Sequence, residues 1–296
     1  MTTRLTACLL ALAVVLGGVL LLRPSESTLA AWSDEATVAV PQLRTGGVQV
    51  DVTGSGTTAT LGMSGDTSGT WRPAAVTVLS AGRALTGAEL AGSRVEYRLA
   101  RNGACVAADP VAYSASPSGT ATSFPVTGGE RLSGAHTVCL TFVPSDQVLV
   151  QLGGRALSFV TTVDGVAAPT GTWTAANTWT ASHTLPAAPT VSALRCTPGW
   201  LNQWVTLGWD WDGGDAANRL ARFSLQLQDR GTWRDVATIS SRARTTTITP
   251  YQFSFVSFDS YTLRVVAVLN DGTTVPTSST TNVRVERVGL GAAYCS

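Results

Sequence analysis

The chain has 296 residues, of which 44% are hydrophobic and only 13% charged, and its 20 basic against 19 acidic side chains leave a formal charge of +1. That balance argues against a nucleic-acid binder or a polybasic membrane ligand. Every basic residue is an arginine, and the lack of lysine removes Schiff-base, phosphate-loop and Ser-x-x-Lys chemistry as well as lysine isopeptide crosslinks.

Residues 5–22, between Arg4 and Arg23, are uncharged and rich in Leu, Val and Ala, the pattern of a membrane-inserting signal helix. Thr28-Leu29-Ala30 offers small residues before a signal-peptidase site, so cleavage is expected between Ala30 and Ala31, with an uncleaved membrane tether as the alternative. Cys8 precedes the end of the apolar run, where a lipid-bearing cysteine would follow it, and reads as an ordinary helix residue. Removing residues 1–30 takes away Arg4, Arg23 and Glu26 and leaves a formally neutral chain, expected to be secreted or held at the cell envelope. Cys105, Cys139, Cys196 and Cys295 remain, an even number in an oxidising compartment, which predicts two disulfides. Three pairings are open, and the domain boundaries favour Cys105 with Cys139 and Cys196 with Cys295.

Past residue 40 the chain is a succession of short alternating runs bounded by Gly, Ser, Pro and Asn. Residues 48–52, 75–79, 95–99 and 138–142 each put apolar side chains on one face at period two, as half-buried strands do. Helical promise outside the leader is confined to 215–225. The fold expected is all-β, with two β-sandwich domains at 31–165 and 190–296. Between them, residues 166–189 crowd Ala, Thr and Pro together, and Pro169, Pro186 and Pro189 predict a linker without continuous strand pairing. Trp173 and Trp179 in this stretch are expected to cover a domain edge or to form an exposed stacking surface.

The acidic run 210–215 invites comparison with calcium loops, but no Glu stands at the twelfth position, and an acidic turn after a strand is the plainer reading. His136 and His183 have no carboxylate or cysteine at metal-ligand spacing, and neither is accompanied by a Gly-x-Ser-x-Gly elbow. No catalytic residue, metal or cofactor is therefore expected. Trp209 is expected to share the inward face with Leu207 and Trp211, which leaves Trp200, Trp204 and Trp233 as candidates for stacking on sugar rings.

The stretch Leu29-Ala30-Ala31-Trp32-Ser33-Asp34-Glu35-Ala36-Thr37-Val38 resembles the leader junction of exported proteins processed by a SipW-type signal peptidase, the group of TasA and camelysin. Gly47-Val48-Gln49-Val50-Asp51-Val52 stands where that family has its first strand, while Pro41-Gln42-Leu43-Arg44 departs from its small residues. Trp71-Arg72-Pro73, Val138-Cys139-Leu140 and Leu152-Gly153-Gly154-Arg155-Ala156-Leu157-Ser158-Phe159 are similar to actinobacterial members, which implies a compact β-sandwich after the leader. Residues 190–296 resemble a fibronectin type III domain: Val205-Thr206-Leu207-Gly208-Trp209 matches its B strand, Tyr261-Thr262-Leu263-Arg264-Val265-Val266-Ala267 its F strand, and Tyr261 a tyrosine corner.

These resemblances imply a non-enzymatic surface or matrix protein whose partners are signal peptidase and then a second copy or another exported subunit. Association would follow the family's strand donation: the segment from Ala31 to Asp51 adds to a neighbour's sheet edge, Trp32 and Val38 fill pockets, and Val48 and Val50 belong to the donor strand. The alternative is a carbohydrate-binding module that holds a cell-wall glycan on Trp200, Trp204 and Trp233.

Overall fold

The computed structural model describes residues 47–296 apart from 66–67, 102, 169–172, 252–258, 278 and 287–290. The leader, the cleavage site at Ala30 and Ala31, Trp32 and Val38 lie outside the described residues. Among the described residues no helix is long and apolar enough to cross a membrane.

The first sandwich is built from β1 (Val48–Ser55), β2 (Thr58–Gly65), β3 (Gly69–Ser80), β4 (Arg83–Ala84), β5 (Arg94–Leu99), β6 (Val111–Ala115), β7 (Ser123–Pro125), β8 (Thr127–Gly128), β9 (Leu132–Ser133), β10 (His136–Val143), β11 (Ala156–Ala167) and β12 (Thr174–Thr184). One sheet runs β1-β2-β10-β5-β6-β8 and the other β12-β11-β3-β4, with β7 and β9 also pairing with β3. All four runs expected to be strands lie inside β1, β3, β5 and β10. Inward residues of the two sheets, among them Leu61, Val76, Val78, Tyr97, Leu140 and Phe159, form one core between them. At its centre the Tyr97 hydroxyl meets Thr161 Oγ1 at 2.8 Å, a polar contact between the two sheets whose side chains are both fully enclosed. Burial pushes the Tyr97 phenol well above its ordinary pKa.

One expectation is corrected here. The Ala/Thr/Pro segment is not a linker, because Thr174–Thr184 pairs with β11 along its whole length, from Ala156 opposite Thr184 to Val166 opposite Thr174. Pro186 and Pro189 follow the strand and do not interrupt it, while threonine, a good strand former, alternates with the inward Trp179 and Ala181. The weak helical promise near 215–225 amounts to a 3-10 turn, Gly214–Arg219, running into a strand, in keeping with an all-β chain. The α-helix of the described residues is α1 (Asp146–Leu152), where Ser145 Oγ accepts from the Val148 amide and Asp146 sits in the positive first turn.

The second sandwich comprises β13 (Thr190–Pro198), β14 (Val205–Asp212), β15 (Leu220–Asp229), β16 (Thr232–Ser240), β17 (Thr245–Ile248), β18 (Asp259–Leu269), β19 (Thr274–Pro276), β20 (Thr281–Glu286) and β21 (Ala292–Cys295). Its sheets run β13-β14-β17 and β16-β15-β18-β20-β21, with β19 on β18. This division into three strands against a longer antiparallel sheet is the fibronectin type III and immunoglobulin-like arrangement that the sequence suggested. Trp209 is fully buried and, with the half-buried Trp211, packs edge-on to Phe223, at ring separations of 5.2 and 5.9 Å.

The two cores meet through α1. Val148 and Leu152 belong to the first core, whereas Leu149, only 2% exposed, belongs to the second. Asp146, 6% exposed, accepts from Arg219 at 2.6 Å, and the Gly154 amide donates to the Pro186 carbonyl at 2.7 Å. One turn of helix thus serves both sandwiches, and the segment joining β12 to β13 is held by backbone hydrogen bonding instead of hanging free.

Candidate functional surfaces

The expected cysteine pairs are both formed. Cys105 is joined to Cys139 with a Cα–Cα distance of 5.9 Å, tying the segment after β5 to β10. Cys196 is joined to Cys295 at 5.7 Å across 99 residues of chain, linking β13 in one sheet of the second sandwich to β21 at the edge of the other. Two disulfides fit an oxidising, extracellular compartment.

Val48 and Val50, named for the donor strand, are paired within the chain itself. Both lie in β1, which is paired with β2 along all eight residues, with Val48 opposite Gly65 and Val50 opposite Met63. Val50 is buried in its own core, and its carbonyl accepts from Asn177 Nδ2 of β12 at 2.8 Å. The Trp179 indole donates to the Gly56 carbonyl at 3.3 Å, so the long edges of the two sheets, β1 and β12, face each other. A one-chain alternation cannot tell a strand kept at home from one given away, because both bury the same face.

The three tryptophans named for stacking fall in different surroundings. Trp200 is 69% exposed beside the equally exposed Leu201, in a 3-10 turn where Leu201 and Asn202 both take positive φ. Such a conformation costs about 1–2 kcal/mol for a non-glycine residue. Trp204 is half-buried, and its indole lies so close to Gly199 that a Cβ there would overlap it. Trp233 is covered on one face by the Arg264 guanidinium, 4.1 Å from the ring centroid. That guanidinium also donates to Gln226 at 2.8 Å, and Gln226 donates on to Asp235 at 2.7 Å. Burial draws Arg264 below its ordinary pKa, with Asp235 opposing.

Acidic residues of the 210–215 run are engaged locally: Asp210 pairs with Arg195 at 2.8 Å, and Asp212 accepts from the Gly214 amide at 3.2 Å. Hydrogen bonding from Arg195 holds the Asp210 carboxyl below its usual pKa. Among the described residues no three His, Cys, Asp or Glu side chains come together as a metal site. His136 bonds the Ser133 carbonyl at 2.9 Å and lies against Trp71.

A surface not foreseen in the sequence lies on the outer face of the β12-β11-β3 sheet. A hollow of about 520 Å³ is lined by Arg131, Asp164, Gly165, Val166, Thr174, Ala175 and Ala176. Cross-strand register sets Arg72, Asp164 and Ala176 in one row and Thr70, Val166 and Thr174 in the next. Arg131, just ahead of β9, reaches over both rows: its Nε donates to Thr70 Oγ1 at 3.3 Å, and its Nη2 to the carbonyls of Thr70 and Asp164 at 3.1 and 2.9 Å. Burial and the nearby Arg72 pull its pKa down, with Asp164 and Tyr113 opposing. These residues come from four separate stretches of chain, so no local spacing announces them.

No model of a known protein family matches the chain, and no curated protein matches it either. Among solved structures, the FN1-FN3 domains of chicken CNTN1 align at 10% identity over 82% of this chain and 65% of that one, with a TM-score of 0.26. A β-1,2-glucanase from Parabacteroides distasonis aligns at 11% identity over 81% and 35%, with a TM-score of 0.23. A stretch of titin domains aligns at 10% identity over 80% and 97%, with a TM-score of 0.25. The chain spans under two thirds of the first two, and likeness of this degree says nothing about activity.

Proposed function

We propose that this chain is an exported, non-enzymatic structural or adhesion protein of the cell surface or extracellular matrix, in which two disulfide-clasped sandwiches act as one stiff unit. The observation that carries this reading is the junction: Leu149 of α1 sits in the second core and Asp146 pairs with Arg219, so a pull or a docking event on one sandwich is passed to the other. Flexibly tethered binding modules have no need of such a shared helix. The apolar run 5–22 is its signal helix, with cleavage after Ala30 by a SipW-type peptidase.

Because β1 is retained at home, assembly by strand donation falls to the chain ahead of it, residues 31–46, which carries Trp32 and Val38. N-terminal sequencing of the exported protein and light scattering on chains beginning at Ala31 and at Gly47 test both parts. A mature terminus at Ala31 and concentration-dependent assemblies in the longer chain alone are expected. An uncleaved leader, or two forms that both stay monomeric, would overturn export by cleavage or self-assembly respectively.

A further inference from the structure

The hollow beside Arg131 has a composition that points to a ligand. On the same outer face, the Arg72 and Asp164 side chains stand opposite each other across β3 and β11, yet neither forms a hydrogen bond or ion pair within reach among the described residues. Arg131 is fixed through Nε and Nη2, which leaves Nη1 without a protein acceptor among the described residues. Two guanidiniums against one carboxylate give the cluster a net charge of +1, and the two cations sit close enough to repel each other. An anion placed between them relieves that repulsion, and the planar guanidinium fork suits a carboxylate. A single negative charge matches the cluster, whereas a phosphate dianion would meet Asp164 with charge to spare.

Further features extend the surface beyond a bare ion site. Its volume, about 520 Å³, lies within the range of small-molecule pockets and exceeds what one small anion fills. Asp164 and Thr174 add acceptors for hydroxyl groups, and Trp173, next to Thr174 in the chain, is 49% exposed. From Thr174 the exposed side chains of Ala176, Thr178, Thr180, Ser182 and Thr184 continue along β12, spaced about 6.7 Å apart. Ligand chemistry with one carboxylate, several hydroxyls and an extended repeat is that of an acidic sugar chain.

We propose that the hollow lined by Arg131, Asp164 and Thr174, with Arg72 beside Asp164 in the next strand at its edge, binds a carboxylate-bearing saccharide, with the two arginines on the carboxylate, Asp164 and Thr174 on ring hydroxyls, and the chain laid along β12. The site stands apart from self-assembly and holds or fails whether or not the chain polymerises.

The test is retention of the full chain on polygalacturonate, on the same polymer fully methyl-esterified, and on dextran sulfate. Arg72 makes no hydrogen bond to described residues, so Arg72→Gln leaves the fold intact, which an unchanged melting temperature verifies. The expected result is binding to polygalacturonate, loss on esterification, and about fivefold weaker binding for Arg72→Gln. Arg131→Gln, which also loses its bonds to Thr70 and Asp164, is expected to weaken binding further, with ligand-induced amide shifts in the parent centred on Val166 and Thr174. Equal retention of the methyl ester, or unchanged binding by Arg72→Gln, overturns the proposal. So does tighter retention on dextran sulfate that the same variant abolishes, since that marks a site for anions alone.

Discussion

Replacing Leu149 by alanine tests whether the two sandwiches are one mechanical unit. The side chain is 2% exposed and belongs to the second core although its backbone is part of the first sandwich's helix. Leu→Ala at such a site removes the transfer free energy of the side chain and leaves a cavity, a loss of about 3 kcal/mol, within the usual 2–5. For a unit the size of the second sandwich, each kcal/mol lowers the melting temperature by roughly 4 °C, so a drop of about 12 °C is expected there. The first core loses no buried side chain, since Val148 and Leu152 stay in place. Calorimetry of the parent should therefore show one coupled transition, and Leu149→Ala should split it, with the second sandwich melting first. A variant that keeps a single transition, or whose stability changes by less than about 1 kcal/mol, would refute the shared-helix argument.

Further predictions follow from the cores and the charged surface. Removing the Cys196–Cys295 bridge with a double serine substitution opens a 99-residue loop and should cost up to about 4–5 kcal/mol in urea titrations performed without reductant. Tyr97→Phe should cost about 1–3 kcal/mol by leaving the Thr161 hydroxyl buried without its partner, and Tyr97→Phe combined with Thr161→Val should recover part of that loss in a double-mutant cycle. Glu89 is held from its usual 4.5 down to about 2, first by the Arg83 hydrogen bond and then by the Thr86 amide and hydroxyl. Its folded pKa lies below its unfolded one, so the stability it lends is complete above about 4.5 and fades as pH falls toward 2. Carboxyl NMR titration should place its midpoint near the lower value, and Arg83→Ala should raise it.

Much of the fold was legible in the chain because a half-buried strand must alternate. Period-two runs at 48–52, 75–79, 95–99 and 138–142 lie within β1, β3, β5 and β10, and the four cysteines beyond the leader are paired as the domain boundaries favoured. The inward place of Trp209 was legible for the same reason: parity fixes which side chains of a strand face the core, whereas the division of the strands between the two sheets came only with the structure. The helix α1 was missed although its Ser145 cap and Asp146 were in view, since seven residues carry too little periodicity to stand out. The segment at 174–184 was misread because composition counts prolines without saying that they fall outside the strand.

The sequence by itself determined what depends on neighbours along the chain: strand alternation, turn residues, an even thiol count, and a charge balance without lysine. Tertiary structure alone decided what depends on neighbours across it. Pairing with β2 keeps Val48 and Val50 in their own sheet, Arg264 covers Trp233 while Trp200 stays bare, and Leu149 leaves its own core for the next one. The row of Arg72, Asp164 and Ala176 exists only because three strands lie in one register, and Arg131 reaches it from a fourth segment. A one-residue slip of any of those strands would turn its side chains to the opposite face, which is why that surface is a property of the packed sheet and not of any stretch of sequence.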